Sequence, residues 1–131
     1  MSQLKVQRLG ENAWELLEDF TLATDKYIVT VKKGFDFDGA SIPKALWSVI
    51  GSPMDGKYVP GAVIHDGLYA SGIISRSEAD EVFLDLMSLD GVGYAKRYAM
   101  YWAVRSCGGI SWKDNMDEFD KYRKFVNVYN V

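Results

Sequence analysis

Breaks in the second half of the chain mark off three helical segments of similar length, and that division restricts the folds open to it. Pro60 suits a first helical position, because its fixed φ is already helical and its missing N–H would have had no partner. The helix it opens carries Ala62, Val63, Ile64, His65, Asp66 and Tyr69, and Gly72 ends it. Ser75-Arg76-Ser77-Glu78 then has the form of a capping box, with Ser75 as cap and Glu78 reaching back to it. The helix that follows runs to about Leu89 with Ala79, Val82, Phe83, Leu86 and Met87 along its apolar side, and Asp90-Gly91 breaks it. A third runs from Tyr94 to about Cys107, where Gly108-Gly109 stops it. Its Tyr98, Tyr101 and Trp102 stand at helical spacing and read as core.

The first third has a different period. Trp14 to Phe20 mixes apolar and acidic residues, Ala23 to Lys26 breaks the pattern, and Tyr27-Ile28-Val29-Thr30-Val31 follows, β-branched and aromatic. Two such runs around a polar connection predict a β-hairpin, closed by Lys33-Gly34, although the first run is also compatible with a short helix. From Phe35 to Pro43 no regular element can persist, since Gly39 admits a turn and Pro43 forces Ile42 extended. Ser41 is placed to cap a short helix over 44–50. The chain from Trp112 onward, charged and aromatic by turns, is expected to pack on the surface. The fold predicted is α+β: an N-terminal β-hairpin and turn-rich loop, then an antiparallel helical half of about three helices.

A chain of 131 residues is expected to form a single domain, 1–131, with a core of real size. Cys107 is its one cysteine, so packing alone must hold the fold. A net charge of −3 without a basic cluster argues against a nucleic-acid partner and gives no general attraction to anionic membranes. The N-terminus shows no apolar signal region, and no stretch approaches the roughly 18 apolar residues of a membrane span. A cytoplasmic location in a host cell is expected, and packaging in a virion would leave no trace.

Chemistry concentrates around the single histidine. His65 and Tyr69, four residues apart, share a helix face, while Asp66 points about a quarter-turn away. Asp80 lies early in the next helix, and two antiparallel helices with a short link can set its carboxylate beside the His65 ring. That is the arrangement of a histidine general base oriented through its far nitrogen. Asp66 is then left to hold a cation. One histidine and one cysteine cannot build a nitrogen- and sulfur-rich zinc site, which leaves zinc only a histidine-plus-carboxylate set, whereas Asp66, Asp38 and the bent backbone at Gly39 offer the oxygen ligands that Ca²⁺ takes.

The segments Gly34 to Pro43, Ala62 to Tyr69 and Ser77 to Phe83 together resemble a family of small phage and prophage proteins of unknown function, over roughly Trp14 to Trp112. The same motifs are similar to secreted bacterial and fungal phospholipases A-two, with their D-G-C-S loop, H-D-x-x-Y helix and later D-x-x-F helix. That second resemblance implies His65 as the base that activates water, Asp80 as its orienter, Tyr69 as a hydrogen-bond partner of Asp80, and Asp66 with the Asp38 loop as ligands of Ca²⁺. It also implies an ion that polarises the ester carbonyl. Ala40 departs from it, standing where that family has a disulfide cysteine, and the stretch between the H-D and D-x-x-F motifs is shorter.

Each feature has a plainer reading. His65 and Asp66 suit a buried histidine satisfied by its neighbour, and Asp80 a carboxylate favouring a helix N-terminus. Asp36 and Asp38 suit turns. Ser41 reads as a cap rather than a nucleophile, Cys107 as an inert buried thiol, and Arg105 as the partner of a core carboxylate in preference to a binder of anionic head groups. Two functions stay open. One is a metal-assisted esterase- or phospholipase-like hydrolase acting on lipids or simpler esters. The other is a non-catalytic phage component, a virion or tail accessory or a binder of a host protein, whose polar cluster only fixes helices. A catalytic cluster should reach solvent through a cleft; a structural one should be sealed with its polar atoms paired. No apolar interfacial rim is evident.

Overall fold

A computed structural model describes residues 4–10, 13–38 and 59–131. The predicted cap at Ser41, the short helix after it and Gly39 lie outside the described residues. Six strands and two groups of helices form the predicted α+β architecture: β1 (Val6–Arg8), β2 (Trp14–Leu16), β3 (Phe20–Ala23), β4 (Tyr27–Val31), β5 (Asp36–Phe37), α1 (Val59–Ser71), α2 (Arg76–Leu89), α3 (Tyr94–Cys107), α4 (Gly109–Asn115), a 3₁₀ turn at Met116–Glu118, α5 (Phe119–Arg123) and β6 (Val126–Asn130).

The strands make two antiparallel sheets, ordered β1-β2-β5 and β3-β4-β6. A hairpin is present as β3–β4, with Phe20 opposite Val31 and Ala23 opposite Ile28, but its first arm begins at Phe20, where the predicted arm ends. The run from Trp14 to Phe20 is divided, however, and its first part, β2, pairs with β1 and β5 in the other sheet. The corner between them has a physical cause: Asp19 accepts the backbone N–H of Lys33 at 2.8 Å, pinning the exposed Leu17–Asp19 turn. The tail also departs from expectation. It contributes β6, which pairs along β4 from Tyr27↔Asn130 to Val31↔Val126 and buries Val126. Alternation of Val126 and Val128 with Asn127 and Tyr129 is the period-two signal for that strand.

α1 is the centre of the molecule, with every residue from Gly61 to Ser71 buried. It packs on α2 and α5 and on β4. Gly67 makes the approach to the sheet possible, because a Cβ there would lie 2.9 Å from a Val31 methyl. Gly72 ends the helix at φ +59°, a left-handed conformation that favours glycine. The predicted capping box is present on α2, where the Glu78 N–H donates to Ser75 Oγ and the Ser75 N–H to Glu78. Tyr27 also donates to Glu78, tying β4 to the start of α2.

α3 differs from the reading of its aromatic stripe as core. It buries only Met100 and Val104, which join Val92, Phe83 and Met87 in a second core cluster. Tyr94, Tyr98, Tyr101 and Trp102 instead form a ladder of ring contacts along the helix, Trp102 is 61% exposed, and Arg97 lies over the Tyr94 and Tyr98 rings. One narrow aliphatic face is enough to dock this helix. Among the described residues, no helix is long and apolar enough to cross a membrane.

Candidate functional site

The capped start of α2 fixes Asp80 in its second turn, facing α1. His65 Nε2 lies 2.6 Å from Asp80 Oδ1, and the Tyr69 hydroxyl donates to the same oxygen at 2.7 Å. His65, Asp80 and Tyr69 are therefore brought together as the sequence predicts. The imidazole packs between the rings of Tyr69 and Phe83, at centroid distances of 4.3 and 4.8 Å.

Two arginines complete the cluster. Arg105 donates to Asp80 Oδ2 at 2.8 Å, which is the structural pairing expected of it. Arg76 was not anticipated. Its Nε donates to the Tyr69 hydroxyl at 3.2 Å, and its Nη2 donates to the carbonyls of Val104 and Arg105 at 2.8 and 2.6 Å. A basic residue at the first position of a capped helix is commonly solvated, so the sequence carried no signal for this contact.

Burial alone would raise the Asp80 carboxyl. Hydrogen bonds from His65, Tyr69 and Arg105, with the attraction to His65, outweigh it and hold the carboxyl below its ordinary value. Asp80 is thus an anion at neutral pH. The Tyr69 phenol moves the other way, raised by burial and then by Asp80, so it stays protonated and serves as a donor. An anionic Asp80 accepts from a proton-bearing Nε2. In the neutral ring Nδ1 is then the nitrogen with acceptor character.

His65, Tyr69 and Asp80 are fully buried, with no exposed surface. Among the described residues, the buried side-chain oxygen or nitrogen without a partner is Asp90 Oδ2, remote from this cluster in sequence, so the His65 network is satisfied. Asp66, next to His65, reaches a different environment. It lines a cleft of about 530 Å³ shared with Asp36, Asp38, Asp114 and Glu118, and with the aromatic walls Phe35, Phe37 and Tyr122. Cys107 and Ile110 stand at the same cleft, and Cys107 is exposed rather than the buried thiol expected.

Asp66 and Asp38, predicted as ligands of one cation, thus face one cavity. The fit to Ca²⁺ holds in kind, since carboxylate oxygens are what the ion takes, but falls short of its six to eight ligands. Among the described residues, no group of three or more His, Cys, Asp or Glu side chains is gathered closely enough to hold a metal ion. Gly39, the third predicted ligand, lies outside them.

Comparison with known proteins returns relatives without an assigned activity. The chain is similar to the uncharacterized protein y4jT of Sinorhizobium fredii (strain NBRC 101917 / NGR234), at 36% identity over 96 residues that make up 72% of this chain and 29% of that protein. It is also similar to the uncharacterized protein y4iH of the same organism, at 37% identity over 71 residues, 54% of this chain and 30% of that protein. The chain therefore spans less than a third of the length of these relatives. No solved structure matches it. Residues 14–104, from β2 almost to the end of α3, match the family described as "Protein of unknown function (DUF1353)", and the chain belongs to that family.

Proposed function

We propose that the protein is a hydrolase of esters, with simple esters and phospholipids as candidate substrates and His65 as its general base. The observation that carries this reading is the 2.6 Å contact of His65 Nε2 with an anionic Asp80, one residue from an Asp66 that lines the cleft. In this reaction His65 Nδ1 takes a proton from water as the water oxygen bonds to the ester carbonyl carbon. The imidazolium so formed is stabilised by Asp80, and it returns the proton to the alkoxide as the carbon–oxygen bond breaks, giving acid and alcohol. Tyr69 holds Asp80 in register. Ca²⁺ is the proposed cofactor, with Asp66, Asp38 and Gly39 as its ligands; bound there, it would supply an electrophile for the carbonyl oxygen.

A second reading rests on a specific observation, the complete burial of the His65 ring within a satisfied network. In that reading the protein is a non-catalytic component, such as a phage particle accessory or a host-protein binder, and the cluster serves to join α1, α2 and α3. Hydrolysis requires water to reach a ring that is sealed in this conformation, whereas a structural role requires nothing more. Short- and long-chain esters and phospholipid vesicles, assayed with Ca²⁺ on wild type and His65→Gln, separate the two. Hydrolysis by wild type that is lost in His65→Gln supports the first reading. An inactive wild type on every substrate class leaves the second.

A further inference from the structure

Asp80 and three residues around it form a closed circuit of hydrogen bonds. Tyr69 donates to Asp80 Oδ1, Arg76 donates to the Tyr69 hydroxyl and to the backbone carbonyl of Arg105, and the Arg105 guanidinium donates to Asp80 Oδ2. His65 hangs from this circuit through Oδ1. A carboxylate torsion is soft and nearly two-fold, so a carboxylate held through one oxygen can pivot and offer its partner either atom. Here both oxygens are held, and from different helices.

We propose that Arg105 is a positioning residue of the site: by occupying Oδ2 it commits Oδ1 to His65 and holds the carboxylate from pivoting away from the Nε2 side of the imidazole. The inference rests on the hydrolase reading. Its chemical basis is a division of labour. A general base must keep one ring orientation while it takes up and returns a proton, and a carboxylate free to pivot cannot hold the ring so. A guanidinium on the far oxygen has planar donors that fix the carboxylate plane better than an ammonium would. Arg76 sets the anchor, because its Nη2 grips the end of α3 from which Arg105 extends. Arg105 touches neither water nor ester in this mechanism; it acts through Asp80.

His65 is the chain's single histidine, so imidazole NMR signals assign themselves. Proton and ¹⁵N spectra of wild type should show one tautomer, protonated at Nε2, with a slowly exchanging proton. Arg105→Gln should give a mixture of tautomers and an Nε2 proton that exchanges at least about tenfold faster, with kcat lowered by about the same factor and KM little changed. Arg105→Lys should keep the single tautomer with intermediate exchange. A purely structural Arg105 would lower the melting temperature and leave the tautomer and the exchange rate as they are, which overturns the proposal. If Arg105→Gln fails to fold, Arg105→Lys decides alone: exchange at the wild-type rate overturns it. The spectra need no substrate, so the outcomes separate. An inactive wild type removes the hydrolase reading, whereas an active one with unchanged spectra in Arg105→Gln removes only the positioning role.

Discussion

Asp80 meets His65 at 2.6 Å although the two belong to different helices, 15 residues apart in the chain. Because Gly72 turns the chain sharply and Ser75 caps α2 at once, Asp80 arrives one turn into that helix, level with the imidazole.

His65→Gln removes both the ring between Tyr69 and Phe83 and a donor to a buried carboxylate. The expected cost is roughly 2–3 kcal/mol, read from chemical denaturation. Because the ring is fully buried, this loss follows from either functional reading, and the esterase assay rather than the melting curve distinguishes them. A variant as stable as wild type would contradict the hydrogen-bonded placement of the ring.

Asp66→Asn tests the cation. Calorimetric titration of wild type with Ca²⁺ should show binding that the variant loses, since the amide keeps the shape and drops the charge facing the cleft. Absence of heat with Ca²⁺, Mg²⁺ and Mn²⁺ would remove the metal and leave His65 without an electrophile beside it.

Acid should unfold the protein in part through Asp80. Its folded carboxyl lies below the unfolded value of about 3.9, so the folded state binds that proton less readily. Its stabilising contribution is fully present above that value and is lost as pH falls through the lower folded one. Stability measured from pH 7 downward should therefore drop steeply below about pH 4, and Asp80→Asn should lack that part of the slope. Asp85 and Asp90 act with the opposite sign: burial raises both, and what they lend at low pH is lost as pH rises through their folded values. An Asp80→Asn curve parallel to wild type below pH 4 would refute the assignment.

Gly72→Ala should destabilise by about 1–3 kcal/mol. A Cβ there would lie 2.5 Å from the Phe119 ring, on a backbone at φ +59°. Gly93→Ala is the control, since a Cβ at that position has nothing within 4 Å. Equal melting temperatures for the two variants would contradict the packing of α5 over the end of α1.

The seating of α3 can be checked by a pair of truncations. Met100→Ala empties a fully buried position and should cost roughly 2–5 kcal/mol, whereas Trp102→Ala, on the exposed side, should stay within about 0.5 kcal/mol. The reverse order would mean that the helix is rotated about its axis.

Local chemistry explains which parts of this structure are legible in sequence. Pro60, Gly72 and the Ser75–Glu78 box act within a few residues of chain, and they deliver α1, α2 and the His65–Asp80–Tyr69 contact. Trp102 misleads because periodicity shows that a helix has a ring-bearing stripe, not whether that stripe meets a neighbour. Met100 and Val104 satisfy α3 instead. Arg76 is illegible for a related reason: its partners include backbone carbonyls 28 and 29 residues away, which no side-chain pattern encodes. The split of Trp14–Phe20 between two sheets depends on Lys33 meeting Asp19, again a long-range event.

The burial of α1 from Gly61 through Ser71 places His65 on the same stretch of chain that α2, α4, α5 and β4 dock against. With His65 acting as proposed, selection for chemistry and selection for folding would act on the same codons. A mutational screen scored by activity would return this helix as a block, with folding failures and chemical failures indistinguishable. Variation that retunes the site without dismantling it has to enter from the periphery, at Cys107 or Ile110, where an exposed side chain borders the cleft but does not support the core.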